Sequence, residues 1–172
     1  MGFIIITTAF KIIKTKINKK DMKCKIKVII NSNYTYLNAI IDTGNFLREP
    51  ITKMPVIVAS KDCLEDLVPG YILDNIDKII NGNDIDLKDY SNKIRIIPFT
   101  SLGKENGILL GIKADFVLIE QEEDIIKINN VIVGIYNGVL NRSGRYNALI
   151  GLDLLEEKEG GTENEHIRDI KV

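Results

Sequence analysis

At 172 residues, with 45% hydrophobic and 27% charged residues and a formal net charge of -1, the chain has the totals of one soluble globular domain. The near-zero net charge excludes a nucleic-acid binder that works by bulk electrostatics, so no nucleic-acid partner is expected. Two cysteines with no CxxC, and a single histidine, His166, in the polar stretch "GGTENEHIRDIKV", leave no metal site, disulfide framework or Ser/His/Asp or Cys/His catalytic unit. No GxGxxG, P-loop or HExxH is present, and no metal or cofactor is expected.

The chain opens with "FIIITTAF", an apolar run far too short to span a bilayer. Between Lys11 and Lys27 eight lysines stand against one acid, Asp21, whereas Glu156, Glu157, Glu159, Glu163 and Glu165 crowd the other end. Lys23, Lys25 and Lys27 alternate with Cys24, Ile26 and Val28, the pattern of a strand with a lysine-rich outer face. A second reading is a segment lying against an anionic membrane surface. Residues 1–22 thus form a basic lead-in to the domain.

"KCKIKVII", the turn "NSN" and "YTYLNAII" predict a β-hairpin over residues 23–41. "MPVIVA" reads as a short buried strand. "SKDCLEDLVPG", with Ser60 as a cap and Pro69-Gly70 as a stop, and "YILDNIDKIING", with Ile72, Ile76 and Ile79 in helical spacing, predict two small helices. β patterns return in "IRIIPFTSL" and "ILLGIKADFVLIE". "DIIKINNVIVGIY" predicts a further hairpin turning at Asn129-Asn130, and "NALIGLDLLEE" a strand passing through Gly151 into a short helix. Residues 159–172 read as a flexible polar tail.

Asp42 follows Ile40 and Ile41 directly and precedes Thr43 and Gly44. A carboxylate at the end of a buried strand is costly without partners or a proton, so its placement calls for a reason. One reading is a turn, since Asp and Gly are common at strand ends. The chemical reading needs a second carboxylate: two aspartates at close range share one proton, so one can take a proton from water while the other gives one to a carbonyl oxygen. The chain holds one such triplet, so the partner would be Asp42 of a second copy across a two-fold axis. Asp115 in "KADF" and Asp153 in "GLDLL" lack the following Thr-Gly.

The triplet after "NAII" resembles the active-site loop of retroviral-type aspartic proteases, homodimers with one triplet per chain, and "ALIGLDLLEE" is similar to the hydrophobic-hydrophobic-glycine segment that packs beside that loop. The resemblance implies a mainly β, retropepsin-like fold, a closed barrel-like half of a dimer with two or three short helices, over residues 23–158. It implies that Asp42 is catalytic, that Thr43 ties the loops together by hydrogen bonds, that Gly44 allows a close backbone approach, and that Leu149, Ile150 and Gly151 support the loop. By order in the chain, "IRIIPFTSLGKENGILLGIKAD" stands where that family has its flap, with the tip near Ser101 to Gly107. The chain departs at Phe46 and Leu152, where retroviral enzymes carry an acid and an arginine that pair near the dimer contact.

"DTGNFLREPITKMPVIV", "IPFTSLGKENGILLGIKAD" and "YNALIGLDLL" together resemble the protease domain of the SpoIIGA family, over most of residues 23–155. That resemblance implies an aspartic endopeptidase that removes the pro-segment of the sigma-E precursor. It implies Asn45, Phe46, Arg48, Ser101, Leu102 and Gly103 as substrate contacts, with Arg48 meeting acidic residues. It also implies a membrane anchor in a further N-terminal domain and a place on the cytoplasmic face of a sporulation membrane, on the mother-cell side. The alternative is a catalytically silent dimerisation or sigma-binding module on the same fold.

Overall fold

The computed structural model describes residues 22–101, 104–121 and 124–156. Most of the basic lead-in, the polar tail and the tip residues Leu102 and Gly103 lie outside them. β1 (Lys23–Ile30) and β2 (Asn33–Asp42) form the hairpin that the alternation predicts. Cys24, Ile26, Val28, Ile30, Leu37, Ala39 and Ile41 are buried, while Lys23 and Lys25 stay exposed. Asn31 and Ser32 have φ of 49° and 69°. Positive φ at both central residues is what a two-residue hairpin turn requires, and asparagine tolerates it at low cost.

The remaining strands are β3 (Val56–Ser60), β4 (Ile94–Ser101), β5 (Lys104–Lys113), β6 (Phe116–Gln121), β7 (Asp124–Ile128), β8 (Ile132–Tyr136) and β9 (Ala148–Gly151). All nine join one sheet in the order β4-β5-β8-β3-β9-β2-β1-β6-β7. Where a closed barrel-like half was expected, the hydrogen-bonded order among the described residues is open, with β4 and β7 as its edges. Most pairs are antiparallel, but β9 lies parallel to β2, and β3 parallel to β8.

"DIIKINNVIVGIY" is not a hairpin. β7 pairs with β6, whereas β8 sits between β5 and β3 in the other half of the sheet. The chain leaves β7 through Asn130, at φ 57°, and crosses over instead of turning back. Val131 to Ile135 are all buried, so β8 has no solvent face to alternate with. A strand covered on both sides reads as a continuous apolar run, and that was the signal against an exposed hairpin arm.

Three short helices, α1 (Gly70–Leu73), α2 (Ile76–Ile80) and α3 (Asp153–Glu156), accompany the sheet. The first predicted helix shrinks to a 3-10 turn at Lys61–Leu64, and the second is split at Asp74 and Asn75 into α1 and α2. Ser60 makes no side-chain cap; its hydroxyl instead accepts the Leu140 N–H at 3.4 Å. Ile72, Leu73, Ile76 and Ile79 pack into the main core with β1, β2, β6 and β9. Each such side chain contributes about 1.5–3 kcal/mol of burial against the entropy of ordering it. A separate small cluster, Val56, Ile97, Leu109 and Ile132, is joined by Leu47 and Phe99.

Asp115, at the corner between β5 and β6, fastens this frame away from the β2–β9 pair. Its carboxylate accepts the Asn31 N–H at 2.8 Å and pairs with Lys93. Burial alone would raise this carboxyl, but the hydrogen bonds from Lys93 and Asn31 outweigh it and hold it below the usual carboxylate range. A lowered pKa contributes stability that is fully present above the unfolded value and fades as pH falls through the folded one. Asp115→Asn should therefore cost about 1 kcal/mol at neutral pH, given its partial exposure. The gap from the parent should close as pH falls below about 4. Urea denaturation across pH checks this, and a gap independent of pH would contradict it.

Candidate active site

Asp42 is the last residue of β2, and its register partner on β9 is Gly151, the last residue of that strand. The parallel pairing of Ala39 to Asp42 with Ala148 to Gly151 carries both chains out of the sheet side by side. Asp42 is half-buried, and its Oδ1 accepts the Gly44 N–H at 2.9 Å. Its main-chain carbonyl accepts the Asn45 N–H at 3.0 Å, closing a tight turn. Oδ2 takes no hydrogen bond from the described residues.

Within one chain, the close main-chain approach beside Asp42 is at Gly151 and not at Gly44. A Cβ on Gly44 would lie 3.4 Å from Asp42 Oδ1, a contact that needs little adjustment. On Gly151 it would lie 2.3 Å from the Asn45 carbonyl oxygen and 2.4 Å from Asp153 Oδ1. The turn after Asp42 thus rests directly on the Gly151 backbone, and only a residue without a side chain admits it there. Ile150 is fully buried below, and Leu149 is half-buried between Ile40 and Val58. Thr43 and Gly44 are exposed.

A second tie crosses the same two segments. Arg48 donates to Asp153 Oδ2 at 2.6 Å through one guanidinium nitrogen and to the Lys53 carbonyl at 2.7 Å through the other. Arg48 lies six residues after Asp42, and Asp153 opens α3 two residues after Gly151. The acid and arginine that the resemblance places near Phe46 and Leu152 are absent, but a pair of reversed sign stands one to two residues further on. Asp153, a rival acid in the sequence, is occupied as its anchor.

Residues 47–56 form a small excursion that returns the chain to the sheet. Val56 N–H bonds to the Leu47 carbonyl at 3.0 Å, Glu49 N–H to Met54 at 2.9 Å, and Arg48 bridges to Pro55. Glu49 is buried, and its carboxylate accepts both the hydroxyl and the backbone N–H of Thr52. Those hydrogen bonds, the hydroxyl's first, hold its carboxyl below the usual range. The sequence reading passed over this residue, although an acid three places before a threonine in a turn is a recognisable local acceptor.

β4 and β5 form the hairpin predicted as a flap, with Ser101 opposite Lys104. Phe99 stands opposite Gly107, and a Cβ there would meet the Phe99 ring at 2.3 Å, so the ring lies flat across the glycine. An open cleft of about 550 Å³ separates this hairpin from the loop after Asp42, with Phe46, Leu47 and Arg48 on one wall and Pro98, Phe99 and Ile108 on the other. Phe46 is 71% exposed, whereas Leu47 and Phe99 reach down to the small buried cluster. Of the predicted substrate contacts, Phe46 and Arg48 line this cleft. Asn45 does not: its side-chain oxygen accepts the Leu47 N–H at 3.1 Å and shapes the loop. Leu102 and Gly103 lie outside the described residues, and Ser101 is placed only as the end of β4.

Among the described residues, no group of His, Cys, Asp and Glu could hold a metal ion, and no helix is long and apolar enough to cross a membrane. Cys24 and Cys63 are free thiols, and burial pushes each up to about 11, so neither supplies a thiolate at neutral pH.

The sporulation sigma-E factor-processing peptidase of Priestia megaterium is 30% identical over 133 residues, covering 76% of this chain and 43% of that protein. Its Bacillus subtilis counterpart is 29% identical over 150 residues, 85% of this chain and 48% of the relative. A putative sporulation sigma factor-processing peptidase of Bacillus thuringiensis is 31% identical over 132 residues, 76% of this chain and 82% of that one. The chain thus spans a little under half of the first two relatives. No solved structure matches it. The peptidase family described as Sporulation factor SpoIIGA matches residues 1–154, and the chain belongs to that family.

Proposed function

We propose that this chain is an aspartic endopeptidase domain that works as a homodimer, with Asp42 of each copy forming half of one catalytic dyad. The observation that carries the reading is the placement of Asp42 at the end of the β2–β9 pair, beside Gly151, four residues before Phe46, where the wall of the open cleft begins. Its Oδ1 is fixed by the Gly44 N–H, while Oδ2 is left for water or a facing carboxylate. One aspartate of the dyad takes a proton from the attacking water as the other gives its proton to the scissile carbonyl oxygen, and the two swap roles when the amine leaves.

Exposed Thr43 and Gly44 would meet their counterparts in the second copy, giving the retropepsin-like assembly that the sequence resembles. The β4–β5 hairpin would serve as the flap, with the peptide lying between it and Phe46. The proposed substrate is the sigma-E precursor, as the names of the relatives indicate, and the proposed setting is the cytoplasmic face of a membrane that holds the longer protein. Arg48 is assigned a bracing role: Asp153 and the Lys53 carbonyl engage its guanidinium, so acidic substrate residues would have to compete with them.

Asp42→Asn should lower cleavage of the precursor by about 10³-fold or more without altering the melting temperature by more than a few degrees. Wild-type cleavage by that variant would show that Asp42 is not the catalytic acid, whereas no cleavage by the parent chain would favour the silent binding module. Cut free of a membrane, the domain should sediment largely as a monomer at micromolar concentration, because a shared bilayer supplies effective concentration that a free domain lacks. A tight dimer would contradict that.

Arg48→Asp alone should reduce cleavage by about tenfold to a hundredfold by loosening the loop that holds the acid. Arg48→Asp combined with Asp153→Arg should recover part of the loss. A double variant no better than the single ones would remove the brace from the account.

A further inference from the structure

The outward face of β1, β2, β6 and β7 plays no part in the site above. Lys25 Nζ lies 4.8 Å from the centre of the Tyr36 ring, and Lys27 Nζ lies 4.1 Å from Tyr34 and 5.6 Å from Tyr36. The two tyrosines meet edge to face with centres 5.9 Å apart and are 54% and 46% exposed. Two strands away, Lys127 lies 4.5 Å over Phe116. The register sets Tyr36, Lys27, Leu118 and Lys127 in one row across all four strands, with Asn38, Lys25, Glu120 and Ile125 in the next.

We infer that this face rests on an anionic lipid bilayer. It gathers Lys23, Lys25, Lys27 and Lys127 against Glu120 in a chain whose net charge is -1, so the attraction is local to the face. Lys25, Lys27 and Lys127 hold their ammonium groups over aromatic rings on this face, and tyrosine has an apolar body and a polar tip suited to the headgroup level. Four strands at about 4.8 Å spacing make a broad sheet surface, which suits a bilayer better than a groove-reading or pocket-filling partner. In sequence, Lys11, Lys14, Lys16, Lys19 and Lys20 precede β1, so the stretch before the strand is also rich in lysine.

The inference stands whether or not Asp42 cleaves a peptide. Where it does, β2 would carry Asp42 at a fixed attitude to the lipid, and copies bound to one surface would meet in two dimensions.

The test is sedimentation of the full 172-residue chain with sucrose-loaded vesicles of phosphatidylcholine, with and without phosphatidylglycerol. Binding should require phosphatidylglycerol and weaken with salt. A lysine near an anionic surface is worth about fivefold in partition, so Lys25→Gln, Lys27→Gln and Lys127→Gln together should lower binding about a hundredfold. Lys53→Gln, Lys78→Gln and Lys88→Gln, on other elements, should leave it unchanged. The chain has no tryptophan, so a Tyr36→Trp variant reports the face directly, and its emission should shift to the blue on anionic vesicles alone. Parental binding by the first triple variant would overturn the inference, assigning any attraction to the lysines of residues 11–20. An equal loss in the second triple variant, or an unshifted tryptophan, would overturn it too.

Discussion

The parallel pairing of β2 with β9 is the constraint on which the rest of this structure depends. It brings together two segments about 110 residues apart in sequence and ends both at the same level, Asp42 beside Gly151. Because the turn after Asp42 lies on the Gly151 backbone with no room for a Cβ, the acid's position is set by main chain against main chain. The Arg48–Asp153 pair then repeats the tie one step outward. A side chain aimed in this way differs from an acid in an ordinary turn, whose attitude a neighbouring loop can change.

The cleft follows from the same arrangement. Leu47, just past the turn, and Phe99, on the β4–β5 hairpin, share the small cluster around Val56, Ile97, Leu109 and Ile132. One buried group of side chains thus sets the spacing between the loop that carries the acid and the hairpin that faces it. Gly107 lets the Phe99 ring lie flat, so the hairpin gives up bulk there in return for an aromatic wall. Asp115 holds the β1–β2 turn to the β5–β6 corner, at the opposite end of β2 from Asp42.

Much of this was legible in the sequence where the signal was local. The alternation in "KCKIKVII" and "YTYLNAII", the Asn31-Ser32 turn and the passage of "ALIG" into a short helix all reach the structure with nearly the expected bounds. Asp42, Gly151 and their neighbourhood were found by motif and order. Pairing partners were not legible, because strand adjacency is decided by burial across the whole sheet. β8 looked like the second arm of a hairpin until its burial on both faces placed it between β3 and β5. The Arg48–Asp153 pair was equally hidden, since 105 positions separate two residues that each look like surface charges. The local role of Asn45 was hidden for the opposite reason: its side-chain oxygen bonds within two residues of itself, to the Leu47 N–H.

The central claim is that one chain carries half a catalytic centre. The direct measurement is to titrate a fixed amount of wild-type chain with increasing Asp42→Asn chain, both held on the same membrane, and to follow cleavage of the sigma-E precursor. If each active unit needs two intact acids, the inactive copy captures wild-type partners, and activity falls in proportion to the wild-type fraction. Activity that stays constant however much inactive chain is added would show that a single copy suffices, and would contradict the account.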